Sequence, residues 1–392
     1  MRSLVLRKKR YLSNQDTLYG GLVSDINLKT LQIFTALLLH VKNGGWELFW
    51  RIYLFIRSDI ILCIYNIEME LKMKDLEGLA IDLACLISDY KNNANNDKDH
   101  VLRWINQFPE EYKKFVLEQT ISLMKKSYFS KENYDEIFDK LLSDNESKES
   151  LDVIKMSSFL NIQKNGSSQS DIIYILENKF EKKYGVKLKI NDFNSEKFFY
   201  FDDFSFTGDR AYLDLSDWII NYAPKKCYLH IIFIASHNYG NYCLNKNLMN
   251  LIKYSGKNIV LDIRSFIFYK NNLFDRNSSD VFWLKYDNRY NRLSFETGSF
   301  IFDNSENRDK FEYIMYEAGK YIISLCENPS SSVKPLGYSR ISNHTGFGGT
   351  IFSYRNCPNT APLAFWWGDP NANQNSPLSQ WYPLFFRKTY YG

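Results

Sequence analysis

The chain has 392 residues, 45% of them hydrophobic and 17% aromatic, long enough for two to three domains and a sizeable core, so burial is not limiting. Lys and Arg number 49 against 45 acids; ten of the basic and six of the acidic side chains fall in residues 1–72, which leaves the remainder balanced at 39 against 39. Bulk charge therefore gives no argument for nucleic-acid binding by residues 73–392, although a local basic face stays open.

Residues 1–72 form an atypical amino-terminal extension. It opens on a basic cluster, Arg7 to Arg10, and continues into long aromatic and apolar stretches. Its longest uncharged run, Thr30 to Val41, falls short of the roughly 20 residues of a spanning helix, and Arg51, Arg57 and Asp59 interrupt anything longer. No membrane span is expected, while an interfacial or partner-bound helix stays open. Ordered patterning starts only afterwards, so a true start at Met69 or Met73 is the alternative to a native extension. The six cysteines, Cys63, Cys85, Cys227, Cys243, Cys326 and Cys357, are scattered without a C-x-x-C pair or a cleavable signal peptide ahead of them. Free thiols in a cytoplasmic protein are expected.

Residues 73–147 read as a small all-helical module. Leu76, Leu79, Leu83, Leu86, Ile87 and Tyr90 share one helical face; Asp99 is placed to cap a short helix bearing Trp104 and Phe108; Pro109 opens a third; a fourth follows Ser130. Lys125, Lys126 and Lys131 bracket one turn, either as phosphate contacts or as a solvated or docking face. The charged stretch Ser143 to Ser150 is the candidate linker.

Strands then alternate with helices over residues 148–328, which indicates an α/β domain with a mostly parallel sheet covered on both faces. A strand Phe159 to Gln163 leads through a small polar loop, Lys164, Asn165, Gly166 and Ser167, into a helix ended by Gly185. The next strand, Phe198 to Phe201, carries Asp202 and Asp203 at its carboxyl end, where open α/β sheets bind ligands. Thr207 and Gly208 turn into a helix near Arg210, and free amides at such a turn are a natural phosphate cradle. The bland alternative for the acids is a helix cap or a solvent-facing pair. His237, at a later strand end, is placed either near a ligand or in a loop with satisfied hydrogen bonds; His230 should point into the layer covering the sheet. Residues 329–392 are irregular and rich in Gly, Asn, Pro and aromatics. Tyr338, Phe347, Phe352, Trp366, Trp367 and Trp381 there serve either an aromatic lid that stacks a ring or core packing.

The segment FYFDDFSFTGDR resembles the phosphoribosyl pyrophosphate-binding motif of type I phosphoribosyltransferases, in which apolar residues precede an acidic pair and a Thr-Gly turn. That resemblance implies a sheet of this topology, with Asp202 and Asp203 as the catalytic pair on the ribose 2′ and 3′ hydroxyls. Ser205, Phe206, Thr207, Gly208, Asp209 and Arg210 would surround the 5′-phosphate, and Lys164, Asn165, Gly166 and Ser167 would form the pyrophosphate loop. It further implies Mg²⁺, on which the two aspartates act indirectly, and phosphoribosyl pyrophosphate or a related nucleotide as substrate. Phe206 and Arg210 depart from the pattern, where small or hydroxylated residues are usual. Taken with the WINQF element at Trp104 to Phe108 and the tail NCPNTAPLAFWW and WYPLF, the chain is similar to phosphoribosyltransferase-like effectors of bacterial conflict systems. Those include effectors encoded beside retron reverse transcriptases with an amino-terminal winged-helix module. Anti-phage action on a nucleotide, nucleoside or nucleic-acid base is implied, by pentosyl transfer or by N-glycosidase-like hydrolysis, with a retron reverse transcriptase and its RNA–DNA product, or another defence protein, as partner. The rival from another class is a binding module that senses a ribose phosphate and relays its occupancy. A haloacid dehalogenase-type phosphatase would need Asp-x-Asp, and Phe204 occupies the required position.

Overall fold

The apolar runs that the sequence offers as strands pair into one parallel sheet in the computed structural model, which describes residues 76–387 apart from 93–94, 144–147, 165, 272–274, 288–298 and 341–343. The extension 1–72, its alternative starts and Asn165 therefore lie outside the described residues.

Four helices open the described chain, α1 (residues 76–86), α2 (Lys98–Ile105), α3 (Glu110–Ser127) and α4 (Lys131–Ser143), with a short strand β1 (Tyr128–Phe129) between the last two. The cap of α2 is Asp97 and not Asp99: its carboxylate accepts from the His100 amide at 2.9 Å, while Asp99 sits inside the first turn. The expected linker is also shorter than its charge pattern suggests, because helix α5 (Lys148–Met156) takes over its last residues. Lys, Glu and Leu are strong helix formers, which suits these residues to a helix rather than a linker.

The sheet consists of β2 (Ser158–Leu160), β3 (Lys189–Ile190), β4 (Lys197–Ser205), β5 (Lys226–His237) and β6 (Asn258–Tyr269), in the order β3-β2-β4-β5-β6 with every pairing parallel. Helices α6 (Ser168–Tyr184), α7 (Asp209–Asn221) and α8 (Asn238–Ser255) make the crossovers, and α9 (Ser305–Ser324) follows the last strand. Strand β2 stops at Leu160, three residues before the expected end, because the Gln169 side chain accepts from the Ile162 and Gln163 amides at 2.7 and 2.9 Å and diverts them from the ladder. Helix α8 follows β5 directly, so Gly240 is helical.

Alternation along β4 sorts its side chains between two cores. Phe198 and Tyr200 pack with Trp218 and Leu248 on one face; Phe201 packs with Phe138 and Ile172 on the other. The second core runs without interruption into the helical module and the tail. Trp104 and Trp381 both donate their indole N–H to the Ala364 carbonyl, at 2.8 and 3.1 Å, and Gln107 holds the Tyr382 amide and carbonyl at 2.6 and 2.8 Å. A strand β7 (Phe352–Ser353) in the tail pairs in parallel with β1. Phe352, Trp366, Trp367 and Trp381 are buried, so most of the tail's aromatic mass serves packing, and only Tyr338 and Phe347 of the expected set reach the cavity described below. Among the described residues no helix is long and apolar enough to cross a membrane, and the described cysteines are free.

Candidate functional site

The chain leaves β2 in one lateral direction, toward β3, and leaves β4 in the other, toward β5. Open sheets bind ligands at the crevice where strand order reverses in this way. Both loops that matter, residues 161–167 after β2 and 206–208 after β4, open into it, and so does a cavity of about 1520 Å³. Asp202, Asp203, every residue from Ser205 to Arg210, and Lys164, Gly166 and Ser167 line that cavity. The sequence reading thus converges on one place, except for Asn165, which is outside the described residues.

Strand β4 extends two residues beyond Asp203, so the acids belong to the pleat and do not follow it. Asp202 is only 4% exposed, yet it reaches the cavity wall; Asp203 is half-buried. Asp202 accepts from the Ser168 hydroxyl at 2.9 Å and the Asp203 amide at 2.9 Å, which ties it to the start of α6. Burial, and then the adjacent Asp203 charge, raises the Asp202 carboxyl well above the usual carboxylate range. Burial raises Asp203 too, against the opposing pull of the Arg355 guanidinium.

The turn after β4 is fixed by two glycines. Gly208 has φ of 80°, and a Cβ on it would stand 2.7 Å from the Gly240 carbonyl oxygen; a Cβ on Gly240 would stand 2.1 Å from the Phe206 carbonyl oxygen. Turn and α8 therefore meet backbone to backbone, and α7 starts on Gly208 with no side-chain cap. A first turn without that cap presents amides and the positive end of the helix dipole. The buried Ser205 hydroxyl on the same wall has no hydrogen-bond partner among the described residues. Helix α6 likewise lacks a side-chain cap: the hydroxyl of its cap residue Ser167 goes to Asp171, at 3.1 Å.

Phe206 departs from the usual small residue without filling the cradle. Its ring packs against those of His237 and Phe347, with centroids 5.6 and 6.4 Å away, joining the turn to the tail. His237 is fully buried, its nitrogens have no hydrogen-bond partner among the described residues, and burial lowers its pKa to about 3. It is a neutral ring in an aromatic box, so neither expectation for it holds: it does not line the cavity, and it is not a satisfied loop residue. His230 stacks on Phe199 and meets Asp262 at 3.2 Å, a structural position as expected. Lys126 is engaged with Asp303 at 2.5 Å and the Ile301 carbonyl at 3.1 Å, which withdraws one lysine from the candidate phosphate-contacting trio.

Several residues escaped the sequence reading. Asp214 accepts from the Lys164 amide at 3.2 Å and the Tyr200 hydroxyl at 3.4 Å, bracing the β2–α6 loop against α7, and burial raises its carboxyl. The signal was there: Ala211, Leu215 and Trp218 define the buried face of α7, and Asp214 lies on it. Arg355 pairs with Asp171 and donates to the Ser168 carbonyl at 3.2 Å, placing a tail guanidinium at the start of α6 beside Asp203. Arg340 meets Asp209 at 3.5 Å at the phosphate turn. No periodicity marks either arginine, since both come from irregular chain.

A doubly wound parallel sheet with an acidic pair and an uncapped glycine turn at its switch point defines a phosphoribosyltransferase-like protein. The family model PRTase-CE matches residues 101–387, and the chain belongs to that family of phosphoribosyltransferase-like effectors. A comparison with curated proteins found no match.

Proposed function

We propose that this protein binds a ribose-5-phosphate-type donor, phosphoribosyl pyrophosphate or a related nucleotide, and transfers its pentosyl group to a nucleotide, nucleoside or nucleic-acid base in anti-phage defence. The convergence of Asp202, Asp203, the turn at Gly208 and the loop before α6 on one cavity carries this reading. Asp202 and Asp203 would accept hydrogen bonds from the ribose diol, the Ser205 hydroxyl and the first-turn amides of α7 would hold the 5′-phosphate, and Lys164, Gly166, Ser167 and Arg355 would face the pyrophosphate. Displacement at ribose C1 passes through an oxocarbenium-like transition state, whose positive charge the aspartates favour.

Among the described residues no cluster of three or more protein ligands could hold a metal alone, while two adjacent carboxylates suit an ion carried mainly by substrate phosphates. Mg²⁺ would fit there with Asp202 and Asp203 acting on it indirectly, and it would neutralise the departing pyrophosphate. The resemblance alone suggests a retron reverse transcriptase with its RNA–DNA product, or another defence protein, as partner.

Incubation of the full-length protein with phosphoribosyl pyrophosphate, Mg²⁺ and candidate acceptors should release pyrophosphate, and Asp202→Asn with Asp203→Asn should abolish the release. One observation favours the sensing alternative: Phe206 couples the turn to the tail through His237 and Phe347. Ligand-induced thermal stabilisation without any product would decide for sensing.

A further inference from the structure

A cavity of about 1520 Å³ exceeds the roughly 300–1,000 Å³ of ordinary small-molecule sites, so a sugar phosphate leaves room beside it. Its cations divide into three groups. Arg210 and Arg340 stand at the β4–α7 turn, where the donor's 5′-phosphate would lie, and Lys164 and Arg355 at the loop before α6, where its pyrophosphate would lie. Lys91 and Arg387 remain, one following the helical module's first helix and one from the far end of the chain.

The fold brings these two together around Cys357. Arg387 Nη1 donates to the Cys357 carbonyl at 3.0 Å, and both cations act on the Cys357 thiol, opposing the rise that burial causes. Cys357 lies two residues beyond Arg355, and Lys91 and Arg387 line the same cavity as Asp202 and Asp203. Lys91 is also strained: it sits in the left-handed region at φ 53° and ψ 22°, with its amide donating to the Tyr354 carbonyl at 2.5 Å. A lysine held there costs on the order of 1 kcal/mol, and such strain collects at ligand sites.

We propose that Lys91 and Arg387 form a second anion subsite that holds a phosphate of the acceptor, so the acceptor is a nucleotide or a phosphate-ended strand and not a free base. This rests on the pentosyl-transfer reading. In that transfer the C1–O bond to pyrophosphate breaks while an acceptor heteroatom bonds to C1, and the proton which that heteroatom gives up leaves with the pyrophosphate. Two cations match the charge of a terminal phosphate.

The test is calorimetry on the full-length protein with phosphoribosyl pyrophosphate present. One arm compares the four ribonucleoside monophosphates with their nucleosides; the other compares 5′-phosphorylated oligothymidylate with its dephosphorylated form. The wild type should bind at least one phosphate-bearing probe about tenfold or more tighter than its counterpart. Lys91→Gln with Arg387→Gln should erase that preference and leave donor affinity within about twofold, and Lys91→Gln alone, at an exposed position, should erase part of it if the double variant unfolds. A wild type with no phosphate preference, or a folded double variant that keeps it, overturns the proposal. A protein that shows the preference but never binds phosphoribosyl pyrophosphate overturns the donor reading instead and leaves the subsite standing.

Discussion

At the scale of single residues, buried titratable groups set opposite pH responses. Asp202 is raised by burial, so the folded state binds a proton that the unfolded state releases above the ordinary carboxylate value near 4. Its contribution is present at low pH and lost as pH climbs from that value toward the raised one. Asp202→Asn should therefore gain thermal stability over wild type as pH rises from 5 to 8, and a constant difference in midpoint would contradict the burial argument. The same variant should bind the donor about 10- to 100-fold more weakly, the weight of one or two charge-assisted hydrogen bonds. His237 runs the other way. Its pKa, lowered to about 3, makes the folded state shed a proton that the unfolded chain holds below about 6.5, so stability falls as pH drops through that window, by up to roughly 1.4 kcal/mol per unit. His237→Phe, keeping a ring among Phe206, Phe347 and Tyr269, should flatten the acid limb of the melting profile.

At the scale of elements, the contact between the β4–α7 turn and α8 decides whether the phosphate cradle exists. Gly208→Ala brings both a strained φ and a collision with backbone, and Gly240→Ala collides with the Phe206 carbonyl, so each should cost about 2–4 kcal/mol in denaturant unfolding and weaken donor binding with it. Gly185→Ala is the control. It shares the positive φ but meets nothing within 4 Å, so about 1 kcal/mol and unchanged binding are expected. Equal losses at Gly208 and Gly185 would mean that conformation alone, and not the close approach, sets the requirement at the turn. Gly185 was legible as a helix stop because a C-cap is a local rule. At Gly240 nothing local reveals that Phe206 presses on it from another crossover.

At the scale of the whole molecule, helical module, sheet and tail share one core, and the tail supplies three of the arginines that line the cavity, Arg340, Arg355 and Arg387. Trp104→Ala removes a buried ring, in contact with Phe108 and Phe365, and its bond to the Ala364 carbonyl, and should cost about 3–5 kcal/mol in a transition shared by every probe. Separate melting of module and sheet would refute the shared core. Arg355→Ala, distant in sequence from the dyad, should weaken donor binding by about tenfold or more, since it removes a charged donor beside Asp203.

Local rules made much of this protein legible. Strand and helix alternation, the acidic pair before a Thr-Gly turn and the stop at Gly185 depend on near neighbours along the chain, and each falls where the sequence placed it to within a few residues. What the tertiary structure alone decided is how irregular chain from the far end joins that site. Arg340, Arg355 and Arg387 carry no periodic signal, and their positions follow from the packing of Trp366, Trp381 and Phe385 against the helical module, a long-range burial that no window of sequence encodes.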